Sequence, residues 1–261
     1  MASLKMAINL TLGPALGYTS RSQQARVMTE SWVASHFFCP NCGDFPLKKY
    51  PNNQPVADFV CGKCNEDYEL KSKQGVFGSK MVDGGYQTMM DRLAGSRNPN
   101  FLLLNYTQSC QVSDFCIVPK HFIVPDLIEK RKPLAATARR AGWIGCNVLL
   151  SRIPESGKIF FVRQSDVLQK RLVRQRWERT LFLRDFSEEK KGWLLDTMNC
   201  VERLGRNTFS LADVYGFEAE LAEKYPRNNH VRDKLRQQLQ VLRKKGYVDF
   251  VGRGQYRLRQ P

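Results

Sequence analysis

The spacing of apolar residues divides the chain into two unequal parts. Over 22–36 they recur at helical spacing (Ala25, Met28, Trp32), after a polar stretch at 20–22 that suits an N-cap. The tight segment Phe38-Cys39-Pro40-Asn41-Cys42-Gly43 comes next. Two short strands are then expected at 56–61 and 66–73, with Cys61-Gly62-Lys63-Cys64 as the turn between them. The runs 101–107, 115–119, 144–150 and 158–163 have strand length and composition, while 84–93 and 165–179 look helical. Helices and strands thus alternate irregularly up to about residue 183.

From 187 the pattern is three helices and a hairpin. The first helix carries Leu194, Met198 and Val201, and the second covers 210–224. Pro226 separates that from a third, which places Leu235, Leu239 and Leu242 on one face and stops at Gly246. Strands at 247–251 and 255–258, joined by Gly252-Arg253-Gly254, complete a winged-helix pattern. The boundary falls at 184/185, giving domains 1–184 and 185–261, each long enough to bury a core.

Charge adds what periodicity cannot. The chain carries 41 basic against 25 acidic residues, a net +16, the footprint of a protein that meets a polyanion. The excess is concentrated: residues 130–184 hold fourteen Lys and Arg against three Asp and Glu. A solvated basic face without a partner is the alternative. No apolar run is long enough to cross a bilayer, and the first 17 residues lack the plan of a signal peptide. Four of the eight cysteines form two close pairs; Cys110, Cys116, Cys146 and Cys200 are scattered in apolar settings. Both groups fit a reducing cytoplasm.

Cys39-x2-Cys42 and Cys61-x2-Cys64, 18 residues apart, can present four thiolates to one point. That donor set closes a tetrahedral zinc site and leaves no open position, so the role is structural. Two disulfides or an iron–sulfur cluster are the alternatives.

The second chemical group is Asp58 with Glu69-Leu70-Lys71. Strand side chains alternate, so Glu69 and Lys71 share a face while Tyr68 and Leu70 share the other. Asp58 belongs to the partner strand of the expected hairpin. Two carboxylates and the Leu70 carbonyl can hold Mg²⁺, and Lys71 can orient or deprotonate a water and stabilise a phosphorane. A surface ion pair beside an unrelated aspartate satisfies the spacing as well.

The pattern Asp-x10-Glu-x-Lys resembles the PD-(D/E)xK nuclease superfamily. The interleaved cysteine pairs narrow the likeness. So do Arg131-Lys132-Pro133-Leu134-Ala135 through Ala138-Arg139-Arg140-Ala141-Gly142-Trp143-Ile144-Gly145-Cys146-Asn147, and Arg236-Gln237-Gln238-Leu239-Gln240. Together they resemble the DpnI-type restriction endonucleases over about 22–256. The resemblance implies a mixed α/β PD-(D/E)xK core with an embedded four-cysteine zinc knuckle and a C-terminal winged helix. It implies a monomeric type II enzyme that cuts double-stranded DNA at GATC bearing N6-methyladenine, using Mg²⁺. Asp58, Glu69 and Lys71 match the catalytic motif, Cys39, Cys42, Cys61 and Cys64 the zinc ligands, and Trp143 a tryptophan that meets the adenine methyl groups. Pro55 departs from the motif by lying three residues before Asp58.

The residues around these motifs suit DNA on their own terms. Arg139 and Arg140 can clamp phosphates or guanine edges. An indole at Trp143 burying a base methyl favours modified DNA by roughly 1 kcal/mol per methyl from area alone, although Trp143 could equally be core. On the third C-terminal helix Arg232, Arg236, Gln237 and Gln240 lie largely outward, where Arg suits guanine and Gln adenine. Arg253 and Arg257 on the wing suit phosphates. Three classes therefore compete: a Mg²⁺-dependent endonuclease for methylated DNA, a DNA-binding regulator that cuts nothing, and a zinc-ribbon RNA-binding or translation factor.

Overall fold

In the computed structural model of the chain, residues 8–51, 57–95 and 98–259 are described. The strands of the first part are β1 (Lys48–Lys49), β2 (Phe59–Val60), β3 (Asp67–Gln74), β4 (Met81–Gly85), β5 (Asn100–Tyr106) and β6 (Val112–Val118). After them come β7 (Ile128–Lys130), β8 (Gly145–Val148), β9 (Ile159–Arg163) and β10 (Asp166–Val167). Its helices are α1 (Arg21–His36), α2 (Tyr86–Ala94) and α3 (Lys170–Glu178). Seven strands form one sheet in the order β1-β2-β3-β5-β6-β9-β10, parallel only between β3 and β5. A second sheet, β4-β8-β7, is antiparallel throughout. The fold is mixed α/β.

The central strands are apolar on both sides because both sides are covered. Leu102 and Leu104 point to one face, with Phe115, Ile117 and Phe161. That face carries α1, α3 and the cysteine knuckle, and Trp32 meets Phe115 edge to face with ring centroids 5.3 Å apart. Phe101, Leu103, Cys116 and Val118 point the other way, toward the second sheet and α2.

The C-terminal part contains α4 (Glu188–Arg203), β11 (Thr208–Ser210), α5 (Leu211–Tyr215), α6 (Glu218–Lys224) and α7 (Val231–Lys244). Strands β12 (Val248–Gly252) and β13 (Gln255–Leu258) then join β11 in a sheet ordered β11-β13-β12. Ser210 and Asp213 form a reciprocal capping box that starts α5. Leu235, Leu239 and Leu242 are fully buried under α7. The expected hairpin is present, with the four helices α4 to α7 in place of the expected three. Their core, however, is not insulated: one apolar cluster runs from Met89, Leu127 and Ile153 of the first part into Leu194, Met198 and Leu239. Polar contacts cross the same seam. The Tyr247 hydroxyl bonds Ser156 Oγ at 3.1 Å, and the Arg179 guanidinium donates to the Tyr247 carbonyl at 3.1 Å.

Several expected elements are corrected. The strand expected at 56–61 is only Phe59–Val60 among the described residues, and Pro55 and Val56 lie outside them. The helix expected at 165–179 begins at Lys170, because Gln164 and Ser165 both take positive φ (51° and 66°). Two such residues make the tight hairpin turn between β9 and β10. The helix expected at 210–224 is broken at Gly216 into α5 and α6. The helix expected at 84–93 starts at Tyr86, its first residues being the end of β4. Cys116, Cys146 and Cys200 are buried, but Cys110 is half-buried in a turn at φ 59°. No helix among the described residues is long and apolar enough to cross a membrane.

His121 closes the contact between the central sheet and α3. Thr180 Oγ1 already donates to the Trp177 carbonyl at 2.8 Å, so at 2.9 Å it accepts from His121 Nε2. Nδ1, left without a proton, accepts from Arg184 Nε at 3.5 Å. Burial, and then Arg184, Lys191 and Lys120, hold the imidazole well below its ordinary range. The folded chain keeps His121 neutral where the unfolded chain takes a proton, so this residue's contribution is lost as pH falls below about 6.5. Wild-type stability is expected to drop between pH 7 and pH 5 with a slope approaching about 1.4 kcal/mol per pH unit from this group. Denaturant unfolding of His121→Gln across that range should give a visibly flatter dependence; an unchanged slope would rule the assignment out.

Candidate catalytic and zinc sites

The four-cysteine knuckle is built by two turns brought together across the sheet edge. Gly43 N donates to the Cys39 carbonyl at 2.8 Å and Asn65 N to the Cys61 carbonyl at 2.9 Å, closing each Cys-x2-Cys loop. The four sulfurs all lie within 4.8 Å of one another, with Cys39 to Cys64 at 3.5 Å and Cys42 to Cys61 at 3.4 Å. Bonded sulfurs sit about 2.05 Å apart, so these thiols are not disulfides. Sulfurs about 2.3 Å from one tetrahedral zinc would be about 3.8 Å apart, so the donor set fits that ion. Burial pushes the Cys39 and Cys61 thiols up, so a metal ion would have to displace their protons to bind. Among the described residues these four form the metal-ligating cluster; no other group of three meets the same spacing.

The knuckle fixes the hairpin of β2 and β3. Cys61 N donates to the Glu66 carbonyl at 3.0 Å, and Phe59 faces Tyr68 across the β2–β3 pair. Tyr68 points into the zinc-side core, and its hydroxyl lies 3.0 Å from Cys39 Sγ. Glu69 and Lys71 therefore emerge on the opposite face. At the end of β2 the backbone ladder gives way to a side chain: Leu70 N donates to Asp58 Oδ2 at 2.6 Å. The N–H and C=O of one strand residue point to the same edge, so the Leu70 carbonyl faces the Asp58 side too. The structure thus brings Asp58, Glu69, Leu70 and Lys71 together along one hairpin.

Lys71 Nζ lies 2.7 Å from Glu69 Oε1 and 2.5 Å from Asp83 Oδ1, and Arg92 Nη1 lies 3.2 Å from Glu69 Oε2. Burial opposes the Lys71 charge, yet Glu69 and Asp83 outweigh it and raise the amine above its usual range. Burial raises Asp58, against the Leu70 amide, and burial likewise raises Glu69 against Lys71. The all-oxygen set of two carboxylates and a carbonyl suits a hard divalent cation such as Mg²⁺. Asp83 and Arg92 escaped the sequence reading. The burial of β4 alternates with Met81 and Asp83 inside and Val82 outside, which inverts the usual polarity of a strand face.

Trp143 is half-buried and belongs to neither apolar cluster. Its loop is tied by Leu134 N to the Trp143 carbonyl at 3.0 Å and Gly142 N to the Leu134 carbonyl at 3.1 Å. Gly142, at φ 77°, makes that turn possible. The indole lies on Gly145, where an added Cβ would come within 2.9 Å of the ring, and beside Gly85. The Arg140 guanidinium sits 5.7 Å from the ring centroid. Arg131, Arg139 and Arg140 are all exposed.

In the C-terminal part Arg236, Gln237, Arg253 and Arg257 are exposed as expected. Arg232 is exposed but bonds Glu218 at 2.7 Å, and Gln240 is half-buried with its amide 3.4 Å from the Tyr256 hydroxyl. Gln240 thus leans toward the wing rather than standing fully outward.

A model described as DpnI, the Dam-replacing family, matches residues 4–186, and one described as the Dam-replacing HTH domain matches residues 189–258. With more than half of its length matched by the first, the chain belongs to the DpnI (Dam-replacing) family of restriction endonucleases.

Proposed function

We propose that this chain is a type II, methyl-directed endonuclease that cuts double-stranded DNA at GATC sites bearing N6-methyladenine by Mg²⁺-dependent phosphodiester hydrolysis. The observation that carries this reading is the half-buried Lys71 amine, held 2.7 Å from Glu69 on the strand whose Leu70 amide bonds Asp58. A protein that only grips DNA has no use for two carboxylates converging where a polyanion must approach. Residues 1–184 form the nuclease domain and 185–261 the winged-helix DNA-binding domain in this reading.

Asp58, Glu69 and the Leu70 carbonyl would hold Mg²⁺, which when bound polarises the scissile phosphate and acidifies a water. The residues themselves supply placement. The Leu70 amide fixes one Asp58 oxygen and so leaves the other free to face the ion. Lys71 orients the attacking water and offsets the charge that grows on the phosphorane. Cys39, Cys42, Cys61 and Cys64 hold zinc in a purely structural role and keep the Asp58 to Lys71 register. Trp143 offers an apolar ring to the adenine methyl, flanked by Arg139 and Arg140 for phosphate or guanine. Arg232, Arg236, Gln237 and Gln240 read the same site from α7, and Arg253 and Arg257 on the wing hold phosphates. The chain acts as a monomer on methylated DNA, in the cytoplasm.

Plasmid prepared from an adenine-methylating host should be cut in Mg²⁺, and plasmid from a non-methylating host should not. Binding without nicking in Mg²⁺ or Mn²⁺ would leave only the regulator reading. Lys71→Ala should bind methylated duplex normally and cut it about 10²- to 10³-fold more slowly; a variant with full activity would remove the mechanism. Trp143→Ala should lose roughly fivefold of methyl preference per methyl group, in competition binding between modified and unmodified duplexes. Cys61→Ser should release zinc to a colorimetric chelator and lose cleavage with it. A zinc-free variant that still cut at the wild-type rate would show that the knuckle does not hold the hairpin.

A further inference from the structure

Asp83 has no part in the mechanism above, yet its side chain is only 3% exposed and lies 2.5 Å from the catalytic lysine. It comes from the second sheet, not from the hairpin that carries the other site residues. Across the β4–β8 pair Asp83 faces Cys146, and the next pair is Gly85 with Gly145. Gly84 is the extra residue between them, a bulge that re-aims the strand. Gly85 and Gly145 are the floor on which the Trp143 indole rests. The carboxylate that grips Lys71 is thus one strand pair away from the glycines on which the ring in the basic loop rests.

We propose that Asp83 is a positioning residue that ties the Trp143 loop to Lys71, so that the seat of the indole and the placement of the catalytic amine depend on each other. This inference rests on the reading of Lys71 as part of a cleavage site. It departs from that reading in giving the enzyme a physical link between recognising a base and cutting the strand. A ring pressed down by a bound base bears on Gly145 and Gly85. Those strands set the height of Asp83, and Asp83 sets the reach of the lysine. Close packing transmits such a displacement, since the indole stands so near Gly145 that a Cβ there would come within 2.9 Å of the ring.

The test is single-turnover cleavage of a fully methylated GATC duplex by the full-length, zinc-loaded chain in Mg²⁺. Asp83→Asn should lower the saturating rate constant on the order of 10²-fold, with the half-saturating protein concentration within about twofold of wild type. Asp83→Glu, which keeps the charge, should recover part of that loss. In the double variant Trp143→Ala with Asp83→Asn, the combined loss should be clearly smaller than the product of the single losses. A wild-type rate in folded Asp83→Asn, a loss confined to half-saturation, or strictly multiplicative losses would each overturn the proposal. If Asp83→Asn fails to fold, judged by zinc content and cooperative unfolding, Gly145→Ala carries the test. Its Cβ displaces the indole without touching Lys71. A slower rate constant at unchanged half-saturation then supports the link, and a change in half-saturation alone sinks it. Failure of the wild-type chain to cut any duplex would instead refute the endonuclease reading.

Discussion

A lysine amine withdrawn from water is costly unless carboxylates surround it, and removing one partner of such a group leaves a charge with nothing to compensate it. That constraint organises the centre of this molecule. Lys71 sits on β3 with Glu69 beside it on the same strand face. The second carboxylate has to come from elsewhere, and β4 delivers it as Asp83. To do so the second sheet must lie close over the β3 edge of the first, and α2, next in the chain, contributes Arg92 to Glu69. Charge balance around one amine thereby adds a polar lock to the apolar contacts that pack the two sheets.

The opposite face of β3 is fixed by different chemistry. Tyr68 and Leu70 enter an apolar layer that includes Phe37, Phe115 and Phe161, and the Tyr68 hydroxyl touches a knuckle sulfur. A one-residue slip of β3 would send tyrosine toward the acids and the lysine into hydrocarbon. Both the thiol cluster and the aromatic layer oppose that slip, which is why a hairpin with a two-residue β2 holds its register.

How much of this was legible in the sequence depends on whether the signal was local. Paired cysteines, the Glu-x-Lys alternation, the heptad-like leucines of α7 and the glycine that ends it are local patterns, and each appears where it was expected. The nuclease motif gained its weight from a family resemblance, since spacing alone also allows a surface ion pair. What escaped were features whose cause is elsewhere in the chain. β4 reads as polar because its inward residue is an aspartate that answers a lysine twelve positions earlier. The β9–β10 turn escaped because Gln164-Ser165 takes the positive φ usually signalled by Asn-Gly. Arg92 on a helix gives no hint from its neighbours that it reaches a strand carboxylate.

The apolar cluster shared by the two family-matched regions has a consequence for how such proteins arise. A helix-turn-helix hung on a tether could be swapped for another binder by simple recombination. Here Leu194, Met198 and Leu239 belong to the same apolar layer as Leu127 and Ile153. An exchanged module would have to present the same greasy contour, or the nuclease would be left with an uncovered flank. The two regions are therefore inherited as one piece, and an exchange of the C-terminal part would need matching changes around Leu127 and Ile153.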